Sequence, residues 1–389
     1  MIDRLTLRNF KAFQHVDLPL GPLTLLTGLN SSGKSSVLQA LGLLHQSYTA
    51  GDLDRAPDVA RGSISNVPGQ GFLLNGELVG LGTGQDVLHE DFAGEEPEIT
   101  LAVSEGDYRY SWTVAWEPEQ NLLPLTRADL PLTTEGGAPP SGEAAVIPGY
   151  FTAGFQYLHA DRVSPAEFYP RDHHAAIGRG FLGVRGEHTV NFLRHHAGDQ
   201  VPDGPLRHPR AQSSLLLQQA AAWIGELCPG VDIQAAPIEG TDAVRLSYGF
   251  AGPQGTRRRP TNVGFGLTYA LPIVVACLTA RPGSLVLMEN PEAHLHPHGQ
   301  TRMAGLAAAA AARGAQLIVE THSDHVLNGA RLAVKRGLLA PDDVVLHYFR
   351  GDGTGADIVS PRVDRDGLLD QWPEGFFDEL ENTLDQLLG

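Results

Sequence analysis

The sequence predicts an α/β protein whose parallel sheet is assembled from two distant parts of the chain, with a β-rich and helical arm inserted between them. An apolar run at 22–27 passes through a glycine-containing loop into a helical pattern at 35–44. Three later apolar runs, at 284–288, 316–320 and 344–349, alternate with helical patterns. Nearly continuous apolar runs of this length are typical of parallel strands that are buried on both faces.

The remaining elements follow from local patterns. Residues 2–7 alternate between apolar and polar side chains and predict a strand, while 133–142 is a glycine- and proline-rich loop. No heptad pattern continues for three or four heptads, so a long coiled coil is excluded. Other predicted elements are hairpin strands at 99–103 and 108–116, helices at 188–196 and 211–227, strands at 231–237 and 243–250, an apolar helix at 267–280, a helix around 307–312 and a short tail helix within 370–389.

The amino-acid composition excludes several classes of protein for this chain. The chain has 389 residues, 42% of them hydrophobic, which suggests two or three structural units with a large core. Only Cys228 and Cys277 are present, so a disulfide scaffold is excluded and reduced thiols in the cytoplasm are expected. We find neither a signal peptide nor a membrane-spanning stretch. A net charge of −17 argues against passive coating of nucleic acid.

The loop after the first apolar run, Gly-Leu-Asn-Ser-Ser-Gly-Lys-Ser at 28–35, matches G-x-x-x-x-G-K-[ST] between a strand and a helix. Its glycines let the backbone amides point at a phosphate, and the helix N-terminus adds a positive dipole. Lys34 is expected to reach the β- and γ-phosphates of ATP, and Ser35 to bind Mg²⁺. The residues expected around the nucleotide are Gly28, Asn30, Ser31, Ser32, Gly33, Lys34, Ser35 and Ser36.

A nucleotide site also needs a carboxylate for Mg²⁺ on a second strand. Leu-Val-Leu-Met-Glu-Asn-Pro-Glu at 285–292 supplies four apolar residues that end in Glu289, 255 residues after Lys34. This separation implies that a large insertion divides one nucleotide-binding fold. An ordinary buried strand that ends in a polar turn is the alternative interpretation.

Two more motifs flank this strand. The strand at 316–320 ends in Thr-His322, and a histidine here can hydrogen-bond the γ-phosphate and sense its loss. A structural loop histidine is the alternative. Asn-Val-Gly-Phe-Gly at 262–266 opens the apolar helix, and Gly264 and Gly266 at a helix N-terminus form an anion-binding nest, although a plain core helix also fits.

Together these motifs resemble the bacterial AAA and ATP-binding-cassette (ABC) type ATPases related to RecF, SMC and the overcoming-lysogenisation-defect (OLD) proteins. The segments that carry the resemblance are the phosphate loop, Glu-Asn-Pro-Glu-Ala-His-Leu-His-Pro at 289–297 and Glu-Thr-His-Ser-Asp-His-Val-Leu-Asn-Gly at 320–329. The tail Trp-Pro-Glu-Gly-Phe-Phe-Asp-Glu at 372–379 is similar to a subfamily that ends in a short domain of unknown function. The specific resemblance covers 1–50 and 261–389.

The resemblance implies a P-loop NTPase of ABC/SMC (RecF-like) type that uses ATP and Mg²⁺, the metal being held by Ser35 and Glu289. It implies a homodimer in which Gly264 and Gly266 of one subunit face the ATP of the other. ABC ATPases place a catalytic glutamate after the magnesium ligand, whereas this chain has Asn290. An amide accepts no proton, and losing a general base costs about 10²–10⁴-fold. Either Glu292 replaces the base, or hydrolysis is slow.

Relatives often act in phage defence or DNA maintenance beside an effector, so the resemblance implies an ATP-driven switch for a partner, a nuclease or another protein encoded nearby. The alternatives are a nucleotide-gated, non-catalytic scaffold and a RecF-like DNA-binding repair ATPase. No membrane partner is expected. The expected division is 1–50 and 261–350 for the two halves of the ATPase head, 51–260 for the insertion and 351–389 for a C-terminal extension.

The sequence also contains weaker candidates for functional residues. Gln85 is a candidate γ-phosphate sensor, Arg162 a candidate nucleotide neighbour, and the run Arg257–Arg259 a candidate contact to DNA or to the partner's nucleotide, or simply a solvated loop. A zinc site needs four ligands, which the histidine groups do not supply. These groups are His173 with His174, His195 with His196, and His294, His296 and His298. Asp364 and Asp366 are a nuclease-like hint in a segment too short for a nuclease domain.

Overall fold

The strand that leads into the phosphate loop lies where the chain passes between two structural units. In this computed structural model, unit 1 comprises Met1–Gly21, Gly28–Ala153 and Phe349–Val359. Unit 2 comprises Pro22–Thr27, Gly154–Tyr348 and Ser360–Gly389. The structure describes residues 1–53, 69–94, 97–131, 147–250, 256–350, 357–377, 383–384 and 386–387.

Unit 1 is built around an antiparallel six-stranded sheet in the order β2–β1–β5–β6–β7–β4. Its strands alternate: Leu5 and Leu7 of β1 are buried, as are Ile99 and Leu101 of β5, and these side chains share one face. Because β5 pairs with β1, strands of the inserted region complete the N-terminal sheet. The strands are β1 (Arg4–Phe10), β2 (Phe13–Pro19), β4 (Gly71–Leu73), β5 (Glu98–Glu105), β6 (Tyr108–Ala115) and β7 (Leu122–Asp129), and unit 1 also holds the short β16 (Ile358–Val359).

Helix α1 (Lys34–Thr49) follows the phosphate loop and anchors the next segment of unit 1. The amide of the buried Gln46 donates to the carbonyl oxygens of Leu73, at 2.6 Å, and Val79, at 3.3 Å. Its side-chain oxygen accepts the backbone N–H of Leu78, at 3.1 Å, and of Val79, at 3.0 Å. One buried amide thus satisfies four backbone groups, as a buried polar side chain must.

Unit 2 contains the mainly parallel sheet, in which β15–β3–β14–β13–β8 lie side by side. The pairs β3–β14, β14–β13 and β13–β8 are parallel, with Glu289 opposite Glu320 and Glu320 opposite Leu26. The carboxyl ends of β3, β14 and β13 therefore meet at one edge, where ligands bind in open α/β sheets. The strands are β3 (Leu23–Gly28), β8 (Phe155–Leu158), β13 (Leu285–Glu289), β14 (Gln316–Glu320) and β15 (Val344–Phe349).

Helices cover this sheet and share its hydrophobic core. Helices α5 and α6 pack closely at Gly329 of α6, where a Cβ would lie 2.5 Å from the Cβ of Ala304 of α5. A small antiparallel sheet adds β9 (Tyr169–Pro170), β10 (Val231–Pro237), β11 (Ala243–Phe250) and β12 (Arg257–Arg258). The helices are α2 (Thr189–His195), α3 (Leu216–Leu227), α4 (Phe265–Thr279), α5 (Pro297–Ala311) and α6 (Asp324–Lys335).

The elements predicted from the sequence are found where the structure describes them, with ends that shift by a few residues. The predicted loop at 133–142 lies outside the described residues, and so do 378–382, 385 and 388–389 of the predicted tail. Among the helices that the structure describes, α1 is the longest with 16 residues, which agrees with the absence of a long coiled coil. No described helix combines the length and apolar character needed to cross a membrane.

Candidate nucleotide-binding site

The phosphate loop of unit 1 bends at two glycines with positive φ. Gly28 has a φ of 130°, and a Cβ there would lie 2.1 Å from the carbonyl oxygen of Phe349, which accepts the Leu29 amide at 3.2 Å. Gly33 has a φ of 100°, and its Cβ would lie 2.7 Å from the Phe13 ring. Both positions need glycine, for space as well as for backbone conformation.

The N-terminus of α1 can receive an anion. Gly33 is the N-cap, no side chain caps the helix, and its first turn holds no acidic residue, so the dipole and amides are not offset by a local carboxylate. The buried Lys34 donates from Nζ to the carbonyl oxygens of Gly28, at 3.1 Å, and Leu29. Of the other predicted loop residues, Asn30 and Ser31 are exposed, Ser35 is half-buried, and Ser32 and Ser36 are buried.

The acidic strand of unit 2 ends in a carboxylate with two protein donors. The Tyr157 hydroxyl donates to Oε1 of Glu289 at 2.6 Å, and the Ala160 amide donates to Oε2 at 2.9 Å. Burial and the neighbouring Glu289 raise the pKa of Tyr157 well above its ordinary value, so the hydroxyl stays a donor. Each carboxylate oxygen has a further lone pair, so Glu289 can still receive Mg²⁺ or a magnesium-bound water.

Arg162 is fully buried beside the same strand end. Its guanidinium donates to the carbonyl oxygens of Glu289, at 2.8 Å, Asn290, at 2.6 Å, and His159, at 3.0 Å. Its central carbon lies 5.6 Å from the centroid of the Tyr269 ring. Burial lowers the pKa of Arg162 to about 10, which leaves the group charged at neutral pH. Arg162 therefore fixes the backbone after the acidic strand.

Asn290, Glu292 and His322 gather in the turns after β13 and β14. Asn290 adopts a φ of 44° and donates its N–H to the carbonyl of Glu320 at 2.8 Å. Glu292 Oε1 accepts the backbone N–H of His322 at 2.8 Å, and burial raises the pKa of Glu292. Among the described residues, Oδ1 of Asn290 and Oε2 of Glu292 are buried without a hydrogen-bond partner. Buried polar atoms of this kind are usually satisfied by water or an ion, which fits a magnesium–nucleotide site.

Helix α4 begins against the same turn. Gly264 is its exposed N-cap, and Phe265 is 53% exposed. A Cβ on Gly266 would lie 2.6 Å from the carbonyl oxygen of His294, so glycine permits this approach. The His294 ring lies 4.8 Å from the Tyr269 ring and 5.9 Å from that of Phe265. The first turn of α4 thus exposes a glycine and an aromatic ring, and it packs against the turn that follows Glu289.

The turn after β14 also contacts the end of β3. Thr321 donates its N–H to the carbonyl of Leu26 at 3.0 Å, so β3 and β14 end side by side. From β3 the chain continues directly into Gly28. Unit 2 thus assembles Glu289, Asn290, Glu292 and the His322 backbone at the edge of its own sheet where β3 and β14 end.

Each arginine of the run Arg257–Arg259 contacts another side chain of the same chain. Arg257 contacts Asp232 at 2.5 Å and Arg259 contacts Glu167 at 2.5 Å, each from a guanidinium nitrogen to a carboxylate oxygen. Arg258 lies 5.4 Å from the centroid of the Phe250 ring. These contacts do not favour the DNA-contact interpretation.

Two other candidate residues, Gln85 and Asp364, take part in local hydrogen bonds. Gln85 is exposed in a turn, where its N–H donates to the carbonyl of Pro118 at 3.1 Å. Asp364 Oδ1 accepts the N–H of Asp366, at 2.9 Å, and of Leu368, at 2.8 Å, and so closes a tight turn. Across the described residues no group of three or more His, Cys, Asp or Glu side chains could hold a metal ion, so none of the histidine groups forms a zinc site there.

Tyr157 is the site residue that the sequence reasoning missed. Within Tyr-Leu-His-Ala-Asp-Arg at 157–162, the sequence indicates a role only for Arg162. Its place depends on the parallel pairing of β8 with β13, which sets Tyr157 opposite Leu287. A tyrosine at the end of an apolar run, five residues before an arginine, was the available signal.

Three protein families match the chain. Residues 1–73 match "AAA ATPase domain", 153–328 match "AAA domain, putative AbiEii toxin, Type IV TA system", and 339–387 match "Protein of unknown function (DUF3696)". An OLD nuclease of Thermus scotoductus is 46% identical over 44 residues, 11% of this chain and 8% of that protein. The DNA replication and repair protein RecF of Magnetococcus marinus is 47% identical over 96 residues, 24% of this chain and 22% of that protein.

The chain is related to the AAA/ABC-type ATPases, to RecF and to OLD. The predicted relationship and the C-terminal domain of unknown function are thereby confirmed. A crystal structure of an SMC head bound to the C-terminal winged-helix domain of ScpA has a TM-score of 0.51 at 14% identity, over 94% of this chain and 98% of that one. This match confirms the predicted P-loop fold of SMC type. The chain matches less than a quarter of the length of the two curated relatives.

Proposed function

We propose that this ATPase binds ATP–Mg²⁺ through the phosphate loop and Glu289, hydrolyses ATP slowly, and acts as a dimerising switch for a partner protein. The observation that carries the proposal is the glycine-dependent loop at the N-terminus of α1, whose amides and Lys34 suit a polyphosphate. The family matches to AAA domains support the same reaction class.

Each residue has a distinct role in this proposal. Lys34 exchanges its loop carbonyl partners for phosphate oxygens, and the half-buried Ser35 hydroxyl and the Glu289 carboxylate hold the metal. Magnesium, when bound, neutralises the charge that develops on the phosphates. His322, exposed just after β14, is the proposed sensor of the γ-phosphate.

Glu292 is the better candidate for the general base. Its carboxylate has one oxygen held by the His322 amide, while the other is buried and lacks a protein partner in the described part of the chain. Its raised pKa makes it a stronger base than an ordinary glutamate. Asn290, with its own amide oxygen buried nearby, suits the task of orienting the attacking water.

Phosphate release from the purified chain tests this assignment. We expect turnover that Lys34→Ala and Glu289→Gln abolish and that Glu292→Gln lowers about 10²–10⁴-fold, the usual cost of a missing base. Asn290→Glu should accelerate turnover if the missing general base limits it, whereas unchanged turnover would assign that role to Glu292. Equal phosphate release by the wild type and by Lys34→Ala would refute the proposed ATPase activity.

A nucleotide-gated scaffold is the second candidate, because Asn290 stands where ABC ATPases place a catalytic glutamate. It predicts ATP binding without measurable turnover. The exposed Gly264 and Phe265 at the start of α4 support a homodimer that closes on ATP. Light scattering of Glu292→Gln with and without ATP–Mg²⁺ tests this closure, and Phe265→Ser should weaken the ATP-dependent dimer.

We extend the proposal to a partner effector, a nuclease or another protein, in phage defence or DNA maintenance. The named relatives, an OLD nuclease and RecF, support this biological setting. Purification of the tagged chain with and without ATP, together with the products of its neighbouring genes, tests it. A partner retained with ATP and released by Lys34→Ala is the expected result.

A further inference from the structure

We infer that Tyr157 is a positioning residue for the magnesium ligand, and that its hydroxyl fixes the carboxylate of Glu289 in the orientation that receives the metal. The inference rests on the proposed nucleotide site. Tyr157 need not touch the nucleotide or the metal, because it acts through Glu289.

The Tyr157 hydroxyl binds one oxygen of the Glu289 carboxylate from within the core. Tyr157 is fully buried, and its Oη lies 2.6 Å from Oε1 of Glu289. Its ring packs edge-on against His159, with centroids 4.3 Å apart. The parallel register sets Tyr157 opposite Leu287, so the side chain reaches the strand end from a rigid neighbouring strand.

Tyr157 and Ala160 each donate to a different oxygen of the Glu289 carboxylate. Ala160 N–H binds Oε2 at 2.9 Å while Tyr157 binds Oε1, so rotation about the terminal bond of Glu289 would break both hydrogen bonds. Arg162 holds the Glu289 carbonyl at 2.8 Å, which fixes the backbone of the same residue. Outer-shell partners of this kind orient a ligand, and their loss costs about 10–100-fold in metal affinity.

The competing explanation is that Tyr157 only fills the core and satisfies its own buried hydroxyl. In that case Tyr157→Phe would change stability but not the response to magnesium. Tyr248→Phe is a matched control in the same unit, because Tyr248 is also fully buried and its hydroxyl lies 3.4 Å from the Thr268 hydroxyl, away from Glu289.

The experiment titrates Mg²⁺ into the full chain with a fluorescent N-methylanthraniloyl ATP analogue and follows nucleotide binding. For Tyr157→Phe we expect the half-saturating Mg²⁺ concentration to rise about tenfold, with nucleotide affinity in EDTA unchanged. Tyr248→Phe should titrate like the wild type. In a Glu289→Gln background, Tyr157→Phe should add less than about twofold, because the residue it positions is already impaired.

The outcomes separate the inference from the proposed function. If Glu289→Gln raises the magnesium requirement and Tyr157→Phe does not, Tyr157 merely packs, and the nucleotide site stands. Equal shifts for Tyr157→Phe and Tyr248→Phe would also overturn the inference. If the wild type binds no nucleotide, or Glu289→Gln leaves the titration unchanged, the nucleotide site itself is wrong.

Discussion

Replacing Arg162 by methionine tests how the acidic strand end is held. The substitution keeps much of the side-chain volume but removes the three hydrogen bonds to the carbonyls of His159, Glu289 and Asn290. Each buried acceptor that loses its partner costs about 1–3 kcal/mol. This gross loss of about 3–9 kcal/mol is partly offset, because the buried guanidinium no longer has to be desolvated. We expect a net destabilisation of about 3–5 kcal/mol.

Urea unfolding of unit 2, followed by circular dichroism and by tryptophan fluorescence, measures this loss. Arg365→Met, at an exposed arginine in a turn, is the control and should change stability by less than about 0.5 kcal/mol. Arg162→Lys should fall between Arg162→Met and the wild type, since lysine keeps the charge but not the planar fork of donors. A loss below about 1 kcal/mol for Arg162→Met would refute the reasoning, because the carbonyls would then have other partners.

Two further predictions concern unit 1. Burial lowers the pKa of His45 to about 4 from the ordinary 6.5, so the unfolded chain takes up the proton first and the stability of the fold decreases as the pH drops below 6.5. About 2 kcal/mol of unfolding free energy should be lost between pH 7 and pH 5. Urea titrations at the two pH values measure this loss, which His45→Phe should remove. Gly28→Ala should weaken ATP binding by at least about tenfold, because its Cβ would meet a backbone oxygen at 2.1 Å in a left-handed backbone conformation that alanine avoids. Gly51→Ala is the matched control for nucleotide titrations, since Gly51 has a φ of 85° with open space around it; equal binding by Gly28→Ala and the wild type would contradict the steric argument.

A final prediction uses the raised pKa of Glu292. As the general base, Glu292 must be ionised, so ATPase activity should fall as the pH drops through its raised pKa, above the value of about 4.3 for an ordinary glutamate. The pH–rate profile of the wild type measures this limb. Glu292→Asp should keep an acid limb at lower activity, whereas persistence of the same limb in Glu292→Gln would assign it to another group.

Local patterns were enough to predict most of the sheet. The apolar runs at 316–320 and 344–349 appear as β14 and β15 with the predicted bounds. Such strands are buried on both faces, so their hydrophobicity is continuous and visible without any neighbour. The phosphate loop was equally visible, because its glycines are required by local backbone geometry and by contacts at close range.

The tertiary structure decided what the motifs touch. Tyr157 lies more than a hundred residues before Glu289, and only the pairing of β8 with β13 joins them. The same pairing brings the Arg162 guanidinium to the backbone carbonyls of Glu289 and Asn290, contacts that the sequence alone does not reveal.

The sequence by itself therefore determined the P-loop fold and the relationship to AAA/ABC-type ATPases, since the strand–loop–helix and apolar-strand motifs each lie within a few residues. Only the folded chain decided which groups orient Glu289, because hydrogen bonds between distant strands depend on register and burial, which no short stretch of sequence encodes. The inserted strands illustrate the same limit. Pairing of β5 with β1 is a long-range choice, and it incorporates the middle of the chain into the N-terminal sheet.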